Sequence, residues 1–321
     1  MNTTRIILEI LYNNKGNFVS SEYLCSITQI SRIAIWQHIK KLQKLGYIIE
    51  AKRGVGYKLT QNPPDLLNLY EIEKLKHTTA VENIFFFENT TSTMDEAKKI
   101  SENNKNLAHK SLIVALNQTQ GRGRKNRHWL SFGENIYASY IYLPKNLIPQ
   151  DGLFVMFAGC IAIVLALKQI GIDAKIKWPN DCLVNDKKIA GVLVDAKSDI
   201  SSIDEIIIGF GVNINWADIP EETNATSVYE VTKKTTDRLF ILDKIVQYLE
   251  ALIKLIENKR KNNIIKLWRL YDTTLSRKVE IISDSKKIIG KAIDIDEYGF
   301  LLVETQNGIQ RIITSDSVRF L

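Results

Sequence analysis

The chain has 321 residues, 45% hydrophobic and 25% charged, which excludes a mainly disordered protein and leaves room for two or three domains with a sizeable core. Its formal charge of +7 is unevenly placed: residues 1–62 carry nine Lys and Arg against three Asp and Glu, nearly the whole excess, as a small nucleic-acid-binding domain attached to a neutral body would. Cys25, Cys160 and Cys182 lie far apart and form no Cys-x-x-Cys pair, the start has no signal-peptide shape, and the apolar run 153–167 falls short of the roughly 20 residues that cross a bilayer. Reduced thiols, a cytoplasmic location and no membrane partner are the expectations.

Apolar positions 7, 8, 10 and 11 suit a first helix over 4–14, with Thr3 or Thr4 as its cap. A second helix, 22–27, follows Ser20 or Ser21. A third follows Ser31, with Ile35, Ile39, Leu42 and Leu45 on one stripe and Gly46 just past its end. The opposite face carries Ile33, Gln37, Lys40, Lys41 and Lys44. Strand-like stretches 47–51 and 57–60 flank a basic turn and complete a winged helix-turn-helix, for which Arg32, Gln37, Lys40, Lys41 and Arg53 are the candidate DNA contacts. A helical adaptor that binds protein is the competing reading. The two prolines within 61–65 predict a linker.

Beyond it the pattern predicts a helix over 66–75, a strand over 84–88, and a hydroxyl-rich turn in which Ser92 or Thr93 caps a helix running to Ile100. A strand over 111–117 feeds into Gln118–Trp129, which holds Arg122, Arg124, Lys125, Arg127 and two glycines, Gly121 and Gly123. Alone, this stretch reads first as a solvated basic loop and second as one that folds over an anion, for which Gly frees the backbone and Arg offers a planar fork. A strand over 136–142 strings it between two strands of one sheet, where α/β-type sheets place ligands. Residues 154–170 read as a buried helix and 175–184 as a strand broken at Pro179. A hairpin turn at Asn185-Asp186 leads to the next strand. The strand over 206–215 puts Gly209 and Gly211 on one face, open to close approach. Amphipathic helices over 239–255 and 264–271 precede several short strands. The expected fold class is α+β and multidomain: a winged helix-turn-helix (1–62), a central mixed-sheet domain with packed helices (63–274), and a small SH3-like β-barrel (275–321).

Ser92-Thr93, the Gly-Arg-Gly-Arg loop from Gln118 to Trp129, Lys177-Trp-Pro-Asn-Asp181, Lys187-Lys-Ile-Ala-Gly191 and Gly209-x-Gly-Val-Asn213 stand in the order and spacing of the biotin protein ligase family. With a winged helix in front, the chain resembles the bifunctional class, a biotin/lipoate-ligase-like enzyme that is also the biotin operon repressor. The resemblance implies an enzyme that joins the biotin carboxylate to the α-phosphate of ATP with Mg²⁺. It then passes biotin from biotinyl-5′-AMP to a lysine of the biotin carboxyl carrier protein of acetyl-CoA carboxylase. An adenylate-bound homodimer on the operator DNA of biotin genes is implied too. Carried over residue by residue, Ser92, Thr93, Gln118, Gly121 and Gly191 fall to biotin, and Arg122, Arg124 and Lys188 to biotin and adenylate together. Arg127, Trp129, Lys177, Asn180, Asn213 and Arg319 fall to the nucleotide, with Mg²⁺ near Asn213 and held by no protein cage. Lys188, Arg122 and Asp181 carry the catalytic roles, Asp181 beside the acceptor lysine. Two positions depart from the family pattern: Met94, where some members have Asn, and Asn126, where the loop often has Gly. Asn tolerates positive φ best among non-glycine residues. A ligase-like regulator without catalysis and a lipoate protein ligase are the alternatives.

Overall fold

The computed structural model describes all residues except Met1, 62–64 and 284–285, and of Asn126 the backbone alone. The core of the expected proline linker therefore lies outside the described residues. The chain divides into two compact units, Met1–Glu73 and Lys74–Leu321.

In the first unit, α1 (Thr3–Asn13), α2 (Ser21–Thr28) and α3 (Arg32–Lys44) bury Ile7, Leu11, Leu24, Ile35, Ile39 and Leu42 against one another. Ser20 and Ser31 cap α2 and α3 through the amides of Tyr23 and Ala34, while α1 is capped by Asn2, not by the expected Thr3 or Thr4. Asn2 takes the extended backbone that frees its side chain to accept from the Thr4 amide at 3.0 Å. β1 (Ile48–Lys52) and β2 (Gly56–Gln61) form the antiparallel wing, and Val19 bridges to Tyr57. The helix expected over 66–75 is only α4 (Leu69–Ile72) in this unit, because extended Asn68 starts it late by accepting from the amides of Tyr70 and Glu71. The Glu71 carboxylate accepts from the hydroxyls of Tyr12 (2.7 Å) and Tyr47 (2.6 Å), and burial with this carboxylate holds the Tyr47 phenol far above its usual value.

The second unit opens with α5 (Leu75–Thr78), followed by β3 (Asn83–Thr90), α6 (Thr93–Asn103), α7 (Lys105–Ala108) and β4 (Ser111–Gln118). β3 and β4 are parallel, so α6 and α7 form the crossover that such a pair requires. β5 (Glu134–Tyr142) follows, then α8 (Gly152–Lys168), β6 (Lys175–Lys177), β7 (Asp181–Val184), β8 (Lys187–Ser198) and β9 (Ile203–Asn215). The seven strands run β3-β4-β5-β9-β8-β7-β6, antiparallel except for the first pair. Residues 175–184 are thus a hairpin and not one interrupted strand: the chain reverses at Trp178–Asn180 and Lys177 pairs with Asp181. Positive φ at Asn185 (50°) and Asp186 (61°) makes the tight turn expected before β8.

α9 (Val228–Thr232), α10 (Arg238–Glu257) and α11 (Lys261–Tyr271) lead to a five-stranded antiparallel sheet of β10 (Lys278–Ser283), β11 (Lys286–Ile295), β12 (Leu301–Thr305), β13 (Gly308–Ile312) and β14 (Ser317–Phe320). By length and composition the apolar segment 149–168 could cross a bilayer, which corrects the expectation drawn from 153–167; here it is 72% buried, packed against α10 and the large sheet. Gly159 sets the depth of that packing, since a Cβ there would stand 2.8 Å from a methyl of Val192 on β8. The clash outweighs the gain in helix propensity, so Gly159→Val lowers stability by about 2 kcal/mol. Urea denaturation checks this, with Val192→Ala in the same chain recovering part of the loss.

Candidate anion-binding site

The parallel pair fixes where the site begins. In register, Thr90 at the end of β3 lies beside Gln118 at the end of β4, the strand ends from which ligands are reached. Ser92, 1% exposed, caps α6 by accepting from the Met94 amide at 3.3 Å. Thr93 donates to Gln118 Oε1 from its amide (2.8 Å) and its hydroxyl (3.2 Å), and Ser139 donates to Thr93 Oγ1 at 2.9 Å. Gln118 Nε2 donates in turn to Ser131 at 3.3 Å. The Thr93 hydroxyl, which capping alone could explain, is therefore also part of one polar chain joining α6, β4 and β5.

The Gly-Arg-Gly-Arg loop between β4 and β5 closes on itself. Trp129 N donates to Gly121 O at 2.8 Å and Gly123 N to Arg127 O at 2.7 Å, around a single turn at Arg124–Asn126. The left-handed residue of that turn is Lys125 (φ 53°), so the tolerance for positive φ looked for at Asn126 is drawn on one position earlier. The loop lays the Trp129 indole on the glycine face of the sheet: a Cβ on Gly211 would stand 2.4 Å from Trp129 Cε2, and one on Gly191 3.0 Å from its Cζ3. On Gly209 a Cβ would meet Met94 Sδ at 2.5 Å. The departure at Met94 thus fills the space that Gly209 leaves.

Arg122, Arg124, Arg127 and Lys188 converge on one cavity of about 170 Å³, which Ser92, Thr93, Gln118, Trp129, Asn180, Asp181 and Gly191 also line. Lys188 Nζ lies 2.6 Å from Asp181 Oδ1 and 5.1 Å from the centre of the Trp129 ring. Arg122 Nη2 lies 2.5 Å from Asp95 Oδ1. Arg124 donates to Asn180 Oδ1 (3.1 Å) and to the carbonyl of Ser315 (3.3 Å), and burial holds its guanidinium below the usual arginine value. Lys125 meets Asp316 at 3.2 Å.

Four of the sequence-predicted residues stand outside that lining. Gly121 is buried within the loop itself, where a Cβ would reach 2.6 Å from Trp129 O. Lys177 stacks its ammonium 5.1 Å over Phe320, and burial pushes its pKa down against the pull of Asp181. Asn213 donates to Thr226 O at 2.9 Å, and its buried Oδ1 has no hydrogen-bond partner among the described residues. Arg319 is exposed on β14, opposite Glu280. Sequence reasoning missed Asp95, Ser139, Ser315 and Asp316. Asp95 carried a signal, but an acid in the first turn of a helix ordinarily reads as a complement to the helix dipole. No group of three or more His, Cys, Asp or Glu that could hold a metal occurs among the described residues.

In the first unit Gln37, Lys40, Lys41 and Arg53 are all exposed, and Arg32 reaches Glu22 at 2.6 Å. Lys40 Nζ lies 5.9 Å over the ring of Trp36, a residue that polar-face reasoning passed over.

Comparison with known proteins fits this geometry. The family model described as Biotin/lipoate A/B protein ligase family matches residues 86–213, an HTH domain matches 3–58, and the biotin protein ligase C-terminal domain matches 274–316. The chain is 31% identical to the bifunctional ligase/repressor BirA of Bacillus subtilis, over 98% of each chain. It is 30% identical to BirA of Escherichia coli, over 96% of this chain and 94% of that one. Among solved structures, the biotin protein ligase from Aquifex aeolicus in complex with biotin and ATP aligns with a TM-score of 0.65 and 30% identity, over 75% of this chain and all of that one. The chain belongs to the family of bifunctional biotin ligase/repressors.

The contact between Trp129 and Gly211 is testable without a ligand. Gly211→Ala displaces the indole and raises iodide quenching of tryptophan fluorescence, and adding Trp129→Phe to the same chain removes that increase.

Proposed function

We propose that this protein is an ATP-dependent biotin protein ligase that also represses transcription. The observation that carries the reading is the convergence of Arg122, Arg124, Arg127 and Lys188 on one small cavity floored by Gly191 and Gly211. Joining a carboxylate to a triphosphate brings anions together, and cations fixed in advance stabilise that encounter without reorganising. A carboxylate oxygen of biotin attacks the α-phosphorus of ATP, the bond to the β-phosphate oxygen breaks, and pyrophosphate leaves. Lys188 and Arg122 hold the reacting carboxylate and phosphate, and Arg124, Arg127 and Asn180 hold the phosphate side. Thr93 and Gln118, already linked by hydrogen bonds, take the biotin head group together with the neighbouring Ser92. A lysine amine of the biotin carboxyl carrier protein then attacks the acyl carbon. AMP leaves, and Asp181 takes the proton.

Trp129 and the loop shield the mixed anhydride from water. Mg²⁺ arrives with ATP, and the unpartnered Oδ1 of Asn213 is the side-chain oxygen assigned to that end of the site. Lys177 and Arg319 act on the nucleotide through their charge, the burial of Lys177 making that charge count for more. The division of labour is DNA binding in 1–62, adenylation and transfer in 63–274, and support of the loop from 275–321. Repression requires a homodimer on a two-fold operator. Arg32, Gln37, Lys40, Lys41 and Arg53 contact the DNA, supported by the exposure of all five.

With biotin, ATP and Mg²⁺, pyrophosphate release by Lys188→Ala or Arg122→Ala falls by about 100-fold or more while circular dichroism stays unchanged. Unimpaired release would remove these residues from the chemistry. For DNA, Lys41→Ala flattens the slope of log affinity against log salt by about one, as fluorescence anisotropy at several salt concentrations measures.

A further inference from the structure

The outer face of α3 is not simply polar. Ile33 is 72% exposed and Trp36 51% exposed, in the first turn and a half of the helix, and Val55 at the tip of the wing is 41% exposed. Trp36, Val55, Arg32 and Arg53 line a common groove of about 320 Å³ between that helix and the wing. Large apolar side chains left in water on an otherwise charged surface mark a contact surface. Here they are interleaved with Arg32, Gln37, Lys40 and Lys41, on a unit whose first 62 residues hold nine cations against three anions. That charge selects a polyanion over a protein partner.

We infer that Ile33 and Trp36 read the C5-methyl groups of thymine in the major groove, so that this protein recognises its DNA site by apolar contact as well as by hydrogen bonds. The inference rests on the DNA-binding reading above and specifies how sequence is read. The N-terminal residues of a recognition helix are the ones that reach base edges, and the thymine methyl is the one apolar group the major groove presents. Lys40, held near the Trp36 ring, reaches the backbone phosphates on the same side, and Gln37 supplies the hydrogen-bonding contact. Phosphate contacts set affinity and orientation; Ile33 and Trp36 supply discrimination.

The test uses the full chain with biotin, ATP and Mg²⁺. A preferred duplex is first selected from random sequence, and each thymine is then replaced by deoxyuridine, which removes only the methyl group. Wild-type protein loses about fourfold in affinity at one or more of these positions, the ratio that burial of one methyl group gives. Ile33→Ala and Trp36→Ala each bind the thymine and uracil duplexes alike at the position they read, with the salt slope unchanged. Ile33→Val keeps the discrimination. Lys40→Ala flattens the salt slope and keeps the discrimination. Equal wild-type affinity for both duplexes at every position overturns the inference, as does discrimination that survives in both alanine variants. If wild-type protein selects no DNA at any salt concentration, the DNA-binding reading itself fails and takes this one with it.

Discussion

Crowding like charges is the constraint on which the central site depends. Two cations 4 Å apart repel by about 4 kcal/mol at the effective dielectric of a protein surface, and four of them line one cavity here. The chain offsets this with its own oxygens. Asp95 faces Arg122, Asp181 faces Lys188, Asp316 faces Lys125, and Arg124 is held by the Asn180 amide and the Ser315 carbonyl. Arg122 and Lys188 remain 49% and 35% exposed, so these pairs are screened and add little to folding stability. Their value lies in being exchangeable. On the proposed function, a substrate anion meets guanidinium and ammonium groups already positioned and exchanges with a carboxylate where otherwise it would have to order a free side chain.

Shape follows from the missing side chains on β8 and β9. Gly191 and Gly211 are paired across the two strands, and the indole of Trp129 lies on both. Gly209, two residues along the same face, is covered by Met94 from α6. One strip of bare backbone therefore receives a helix at one end and a loop at the other. The close approach that Gly-x-Gly permits is thus used twice, by Met94 of α6 at Gly209 and by Trp129 of the loop at Gly211.

The layers were legible in the sequence because each carried its own period. The stripe Ile35, Ile39, Leu42 marks α3, the all-round apolar stretch marks α8 as buried, and alternation puts Gly209 and Gly211 on one face. The failures share a cause, which is that the deciding contact was not local. Nothing near Trp178 in sequence announces that its indole donates to Gly299 and its amide to Thr274, yet those contacts fix the hairpin that was taken for a broken strand. The helix over 66–75 had the right composition, but the Asn68 side chain took the amides that an earlier start would have needed. β14 follows a short polar stretch and pairs with β10, nearly forty residues earlier. Of the site, the cations were readable from their spacing. Their counter-charges Asp95 and Asp316 were not, since an acid's partner lies in the fold and not in the neighbouring residues.

That last point alters how the C-terminal sheet is understood. Arg319, proposed to act on the nucleotide through its charge, is exposed on β14 and lines no part of the cavity. The contacts come earlier, from the Ser315 carbonyl to Arg124 and from Asp316 to Lys125, both within the turn of the Gly-Arg-Gly-Arg loop. The same sheet anchors Trp178, and with it the hairpin that carries Asn180 and Asp181. Two of the three segments that shape the cavity are thus steadied from one direction, and the third, β8 with Lys188, is paired to β7. A loop with two glycines and a left-handed lysine has little conformational preference of its own. Its geometry is imposed by Asp95, Asn180 and Ser315, residues far apart in sequence, so the cationic cluster exists only when the whole unit is folded.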